Sequence, residues 1–142
     1  MEYLGQSLLD ILDQNRHIGL NFGFIQKVMR SILQTLVIFE QLNIIHCDIK
    51  PENILQSRHN TDEFKIIDNK DDINENNKFK IIDFGLCSVV NEITNHHIQS
   101  RYYRAPEVVL DMPFDCKADI WSAGCVAAEM FLGFPILPAC CE

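Results

Sequence analysis

Three side chains able to do polar chemistry at one point fall close together: Asp48, Lys50 and Asn53, in Ile45-His46-Cys47-Asp48-Ile49-Lys50-Pro51-Glu52-Asn53. A carboxylate can accept a proton, an ammonium can neutralise a moving anion, and a carboxamide oxygen can ligate a hard cation. Pro51 forbids a helix through the middle of the stretch and biases Lys50 toward extended backbone. The expected result is a stiff loop that holds the three polar groups on one side. A second acid, Asp83, follows in Lys80-Ile81-Ile82-Asp83-Phe84-Gly85. Taken singly, Asp48 reads as a turn acid, Asn53 as a cap and Asp83 as a strand-end Asx turn. It is the combination that points to a site.

The elements that must position these groups can be read from periodicity and punctuation. Met1 to Leu4 reads as a short extended piece. Ser7 is placed to cap a helix with Asp10 reaching back, running to about Arg16, with Gly19 as a break. Asn21 then caps a long helix carrying the stripe Phe22, Ile25, Val28, Met29, Ile32, Leu33, Leu36, Phe39 and Leu42. That helix delivers the chain to His46, and its stripe reads as core. Ile54-Leu55 reads as a short strand. Residues 56–78 are polar and rich in Asn and Asp, too poor in apolar surface to fold alone, and read as a surface insertion within a single 1–142 domain.

The one apolar island in that insertion repeats a later segment. Phe64-Lys65-Ile66-Ile67-Asp68 recurs as Phe79-Lys80-Ile81-Ile82-Asp83, and only the second copy continues Phe84-Gly85. Gly85 is expected to supply the backbone freedom that a metal-directed aspartate needs, so function falls to Asp83 and not to Asp68. An irregular segment runs from Gly85 to Glu107. Ala105-Pro106-Glu107 opens a short helix through Leu110, and residues 111–114 form a turn. Asp119 to Leu132 reads as a helix apolar nearly all round, ended by Gly133.

Composition narrows the function classes. An apolar content of 47% fits a globular protein. A net charge of −8 with no basic patch argues against nucleic acid as a partner. No uninterrupted apolar run approaches the twenty or so residues of a membrane span, and no signal peptide is evident. The six cysteines form no C-x-x-C pair and read as reduced intracellular thiols. A zinc site using His96 and His97 lacks ligand-pair spacing.

The motifs His46-Cys47-Asp48-Ile49-Lys50-Pro51-Glu52-Asn53, Asp83-Phe84-Gly85, Ala105-Pro106-Glu107 and Asp119-Ile120-Trp121-Ser122-Ala123-Gly124-Cys125, in that order, resemble those of a eukaryotic protein kinase. The resemblance runs from Met1 to about Pro138 apart from the insertion. Cys47 in the catalytic loop, with Ile98-Gln99-Ser100-Arg101-Tyr102-Tyr103-Arg104, resembles the CMGC group. The similarity is greatest to the dual-specificity tyrosine-regulated kinases and their homeodomain-interacting relatives.

That resemblance implies an α+β fold, specifically the mainly helical large lobe of a kinase with a few short strands around the catalytic loop. It implies ATP and Mg²⁺ as cofactors, protein substrates carrying Ser/Thr hydroxyls (Tyr by autophosphorylation), and an intracellular, cytoplasmic or nuclear setting. By carry-over, Asp48 orients and deprotonates the acceptor hydroxyl and Lys50 neutralises the moving phosphoryl group. Asn53 and Asp83 correspond to the magnesium ligands. Leu55 would lie under the adenine, and Glu2 and Leu4 would offer hinge backbone to its edge. His46 and Phe84 resemble members of the internal apolar column, and Asp119 the buried acid under the catalytic loop. Arg104 would line the floor for the residue after the acceptor.

There are departures. Cys47 cannot grip an activation-loop phosphate as the family's usual arginine does. Asn95 and His97 stand where the tyrosine pair is expected, so self-activation on tyrosine is not expected there, Tyr102 being another acceptor in the loop. No glycine-rich loop, strand lysine or helix glutamate occurs before the hinge, and the arginine that pairs Glu107 is absent. Two readings follow: a fragment of an active serine/threonine-type kinase, or a catalytically inactive truncated kinase acting as a binding or decoy module. The four intact polar residues favour the first.

Overall fold

A computed structural model describes residues 4–57, 78–90 and 98–138. Glu2, nearly all of the insertion with its Asp68 copy, Asn95 to His97 and the Cys140-Cys141 pair lie outside the described residues. The fold is mixed α+β. Its elements are β1 (Leu4–Ser7), α1 (Leu8–Gln14), α2 (Phe22–Gln41), β2 (Ile44–Ile45), β3 (Ile54–Ser57), β4 (Phe79–Ile81), β5 (Ser88–Val89), α3 (Pro106–Val109) and α4 (Lys117–Leu132). Short 3₁₀ turns occupy Pro51–Asn53, Phe84–Leu86 and Arg101–Tyr103. One antiparallel sheet has the order β1-β3-β4, and β2 pairs with β5 in a second. The segment after Gly85, expected to be irregular, therefore contributes a strand, β5, that pairs with β2 just before His46.

Local sequence accounts for the helix starts. Ser7 Oγ accepts from Asp10 N at 3.1 Å and Asp10 Oδ2 accepts from Ser7 N at 2.9 Å, a reciprocal capping box. Asn21 Oδ1 accepts from Phe24 N at 2.8 Å. α1 stops at Gln14 rather than near Arg16, because Arg16 and His17 take left-handed backbone, φ 53° and 55°.

The inward stripe of α2 (Ile25, Val28, Ile32, Leu36 and Phe39) is buried with Leu8, Ile49, Ile54, Phe79, Ile81, Val126 and Met130 in the main core. By length and composition alone α2 is also apolar enough to cross a membrane, its apolar residues being interrupted by polar ones. Of the expected stripe those five inward residues face α4 and β4 in the core with Met29 partly buried against them, whereas Phe22, Leu33 and Leu42 are exposed, because the buried face of α2 is narrower than the run of apolar residues. A smaller cluster of Ile45, Cys47, Ile98, Ala105, Val108 and Ala118 joins the loop after β2 to the segment before α3. α4 buries Ala118, Asp119, Ser122, Ala123, Cys125, Val126, Glu129 and Met130, while Ile120, Trp121, Phe131 and Leu132 remain exposed. The all-round apolar pattern thus ends in a partly bare helix.

Two glycines lock the α1–α2 connection against the end of α4. A Cβ on Gly19 would sit 1.8 Å from Phe131 O, and one on Gly133, at φ +89°, 1.8 Å from His17 O. Leu20 N donates to Met130 O at 2.7 Å between them. Gly124, in contrast, has nothing within 4 Å of a built Cβ. Gly133→Ala is expected to lower stability by about 1–3 kcal/mol or more, since strain and a backbone clash add. Gly124→Ala should raise it by up to about 1 kcal/mol through helix propensity. Urea unfolding of the two variants beside wild type checks the pair.

Candidate active site

The loop 46–53 is built around a backbone conformation that needs support. Cys47 sits at φ 68°, left-handed for a residue with a Cβ. Its N–H donates to Asp119 Oδ1 at 3.1 Å, and the N–H of His46 donates to Asp119 Oδ2 at 2.6 Å. Asp119 is 1% exposed, and burial pushes its carboxyl up from 3.8 to about 6 against the pull of those two amides. From above, Cys47 O accepts from Gln99 N at 2.9 Å. Burial, then the charge of Asp119, drives the Cys47 thiol up to about 12, so it stays neutral and donates to Ile45 O.

His46 is fully buried. Its ring stacks on Phe39 at 6.2 Å and meets Phe84 edge-on at 5.2 Å. Burial lowers its pKa, opposed by its bond to Ile82 O and by the charges of Asp48 and Asp83. A neutral ring satisfies both neighbours as the Nε2–H tautomer: Nε2 donates to Ile82 O at 3.0 Å and Nδ1 accepts from Asp48 N at 3.3 Å. The ring therefore ties the backbone before Asp83 to the backbone of Asp48.

Asp48 is the centre. Its Oδ2 pairs with Lys50 Nζ at 2.7 Å and accepts from Asn53 Nδ2 at 3.0 Å. Its Oδ1 accepts from Ser100 Oγ at 2.7 Å, and Lys50 Nζ also donates to Ser100 Oγ at 3.2 Å. Burial pushes this carboxyl up, but the bonds from Lys50 and Ser100, the Lys50 charge and Asn53 together hold it below its ordinary value. Lys50 has the extended backbone that Pro51 demands, φ −158° and ψ 165°. Pro51 opens the 3₁₀ turn that brings Asn53 back onto Asp48.

The second acid is attached through backbone: Ile82 N donates to Asn53 O at 2.9 Å, setting Asp83 beside Asn53 in the chain trace. The left-handed residue here is Asp83 itself, φ 66° and ψ 76°, and not Gly85. Gly85 is small for a different reason. Its N–H donates to Asp83 Oδ1 at 3.2 Å, and a Cβ there would lie 3.2 Å from the same oxygen. Asn53 Nδ2 is committed to Asp48, which leaves the amide oxygen for a cation, and Asp83 keeps its Oδ2. Those are hard donors suited to a magnesium ion held largely by phosphate and water. Among the described residues no three His, Cys, Asp or Glu side chains gather into a self-contained metal site.

The remaining expected residues are dispersed. Leu4 and Leu55 lie half-buried on β1 and β3, whose register pairs Leu4 with Ser57 and Leu55 with both Ser7 and Lys80. Arg104 donates from Nε to Ile98 O at 3.0 Å and from Nη2 to Gln99 O at 3.0 Å. Glu107 is half-buried at the first turn of α3, and among the described residues it has no side-chain ion pair. Partial exposure makes that less costly than a fully buried orphan charge. Ser100 was not singled out from sequence, and neither were Gln99 or the buried Tyr103–Glu129 pair at 2.7 Å. The only signal for Ser100 was its place in the Ile98–Glu107 stretch.

Comparison with known proteins shows the family. The family model described as "Protein kinase domain" matches residues 1–140. The chain belongs to the protein kinase family. It is 40% identical over 137 residues to the probable dual specificity protein kinase YAK1 homolog of Encephalitozoon cuniculi, covering 96% of this chain and 30% of that protein. It is 39% identical over 142 residues to homeodomain-interacting protein kinase 1 of Caenorhabditis elegans, covering 99% and 15%. With the DYRK-family kinase pom1 of Schizosaccharomyces pombe it shares 38% over 137 residues, 96% and 11%. These are the CMGC-type relatives that Cys47 and the Ile98–Glu107 stretch indicated. The kinase chain spans less than a third of the length of each of these relatives.

The raised pKa of Asp119 has a signed consequence. The folded state holds its proton more tightly than the unfolded chain, so this contribution to stability is full below about pH 4 and is lost as pH rises through about 6. The stability of wild type relative to Asp119→Asn should fall by about 2–3 kcal/mol between pH 4 and pH 7 and then level off. Denaturant titrations across that range check it.

Proposed function

We infer that these residues carry the phosphoryl-transfer site of an ATP-dependent protein kinase acting on Ser/Thr hydroxyls, with activity belonging to the intact kinase domain. The observation that carries this reading is Asp48, a carboxylate kept ionised between Lys50 Nζ and Ser100 Oγ. Ser100 Oγ lies where an acceptor hydroxyl would approach: within reach of both a carboxylate that can take its proton and an ammonium that can meet the phosphoryl charge. Asp48 is the base and orienter, and Lys50 the charge stabiliser. Asn53 and Asp83 would hold Mg²⁺, which would supply charge neutralisation at the phosphates of ATP. Leu55 and Leu4 would form apolar floor and hinge for the adenine. His46, Phe84, Gly85 and Asp119 position these groups. The chain then corresponds to the helical large lobe.

Arg104 supports a preference in the substrate. Its donors converge on Gln99 O at 3.0 and 3.3 Å, so that carbonyl is not free to accept from a substrate amide. A peptide whose residue after the acceptor has an N–H gains no partner from that carbonyl, and proline has no N–H that needs one. Glu107 supports the end of α3 through its backbone, its carbonyl accepting from Met112 N at 2.8 Å. Tyr102 is the partly exposed tyrosine of the loop and Tyr103 is buried against Glu129, so any tyrosine autophosphorylation among residues 98–107 falls on Tyr102. The soluble kinase relatives support an intracellular setting.

In the full-length protein, Asp48→Ala and Asp83→Ala should each lower kcat for peptide phosphorylation by about 10²-fold or more. Proline after the acceptor should be favoured over alanine by roughly tenfold in kcat/KM. Radiolabel transfer from γ-labelled ATP measures both. Wild-type protein with no transfer would instead favour the binding-module reading, and Asp48→Ala with wild-type kcat would remove Asp48 from the mechanism.

A further inference from the structure

Gln99 is buried, 5% exposed, and its side-chain amide is satisfied at both ends. Its Nε2 donates to Ala118 O at 2.8 Å and Ser122 Oγ at 2.9 Å, both on α4. Its Oε1 accepts from Ala105 N at 2.8 Å, at the N-terminus of α3. Its backbone is equally engaged: N donates to Cys47 O at 2.9 Å, and O accepts from Arg104. Ser122 Oγ extends the network by donating to Tyr103 O at 2.7 Å. Like Cys47, Gln99 has a left-handed backbone, φ 67°.

One side chain thus joins α4, the start of α3 and, through its own backbone, the catalytic loop. The next residue is Ser100, whose Oγ reaches Asp48 at 2.7 Å. The catalytic loop offers no cation at position 47 that could clamp this segment through a phosphate. It offers a carbonyl, and Gln99 takes it.

Resting on the kinase reading, we propose that Gln99 is a positioning residue: its neutral amide network latches the substrate-facing segment 98–105 onto α4 and the catalytic loop, so the segment is held in register with Asp48 without a phosphate. A latch of this kind acts on the protein substrate and the acceptor hydroxyl and not on the nucleotide, because none of its bonds involves β3, Asn53 or Asp83. It differs from simple packing in needing the amide and not only its volume. The left-handed φ is held by bonds on both sides of the residue.

The test uses the full-length kinase and Gln99→Met, which keeps the length of the side chain and removes both polar ends. The peptide kcat/KM should fall about tenfold or more, carried by peptide KM and kcat, with the KM for ATP within about twofold of wild type. Wild type treated with phosphatase, its phosphate content checked by intact mass, should keep its peptide kcat/KM within about twofold. Peptide kinetics of Gln99→Met matching wild type would overturn the inference, as would a large loss on phosphatase treatment, which would assign the latch to a phosphate. Equal losses in peptide and ATP parameters would reduce Gln99 to general packing and overturn it too. Should Gln99→Met not fold, Ser122→Ala removes one acceptor of the same amide and should raise peptide KM about threefold. An unchanged value there would also refute the proposal. A wild type without phosphotransfer defeats the kinase reading itself, whereas an active wild type with an indifferent Gln99→Met defeats only the latch.

Discussion

The carboxylate of Asp119, receiving the amides of His46 and Cys47 from 73 and 72 residues away, is the interaction on which the site depends. A left-handed Cys47 would be strained on its own, by about 1–3 kcal/mol. The clamp fixes that conformation, and two outcomes follow from it. The His46 ring is set against Phe39 and Phe84, with its nitrogens spanning Ile82 and Asp48, and Asp48 emerges facing Lys50, Asn53 and Ser100. The charge that holds the loop is itself buried, so the loop's order is bound to the burial of α4. A carboxylate there is costly to desolvate, which is the reason its pKa rises, and its two amide donors offset part of that cost.

Around this clamp the rest of the chain acts as a frame. α2 carries its apolar stripe into the core and ends just before β2, which leads into His46. The glycine contacts at Gly19 and Gly133 seat the α1–α2 connection on the far end of the helix that carries Asp119. The segment with Gln99, Ser100 and Arg104 closes over the loop, so the acid at 48 has partners from both its own loop and a segment more than fifty residues later. The arrangement is one of fixed geometry and fixed charge, which is what the proposed phosphoryl transfer would require.

Much of this was legible in the residues because the determinants are local. Ser7 and Asp10 are three apart, and their capping box needs no tertiary information. The spacing of the α2 stripe, the constraint of Pro51 on Lys50, and Gly133 as a helix stop are likewise local. What escaped the sequence depends on distant partners. Ser88 and Val89 are too short a run to announce a strand, and only pairing with Ile44 and Ile45 makes them one. Nothing about Ser100 or Gln99 alone indicates bonds to residues far along the chain. The strained residue of the Asp83-Phe84-Gly85 turn was misassigned to the glycine because permissiveness was taken for need: the aspartate adopts the left-handed backbone, and the glycine makes room for its oxygen. The end of α1 was overestimated because Arg16 and His17 leave helical backbone without a glycine or proline to mark it.

The central claim is that Asp119 holds the catalytic loop through the amides of His46 and Cys47. Hydrogen–deuterium exchange of a peptide covering residues 44–53, compared between wild type and Asp119→Ala under folding conditions, tests it most directly. The clamp predicts that these two amides exchange in wild type only through large-scale opening. In the variant they should exchange at least about tenfold faster by local opening, while α2 keeps its protection. Unchanged protection of His46 and Cys47 in a folded Asp119→Ala protein would contradict the account.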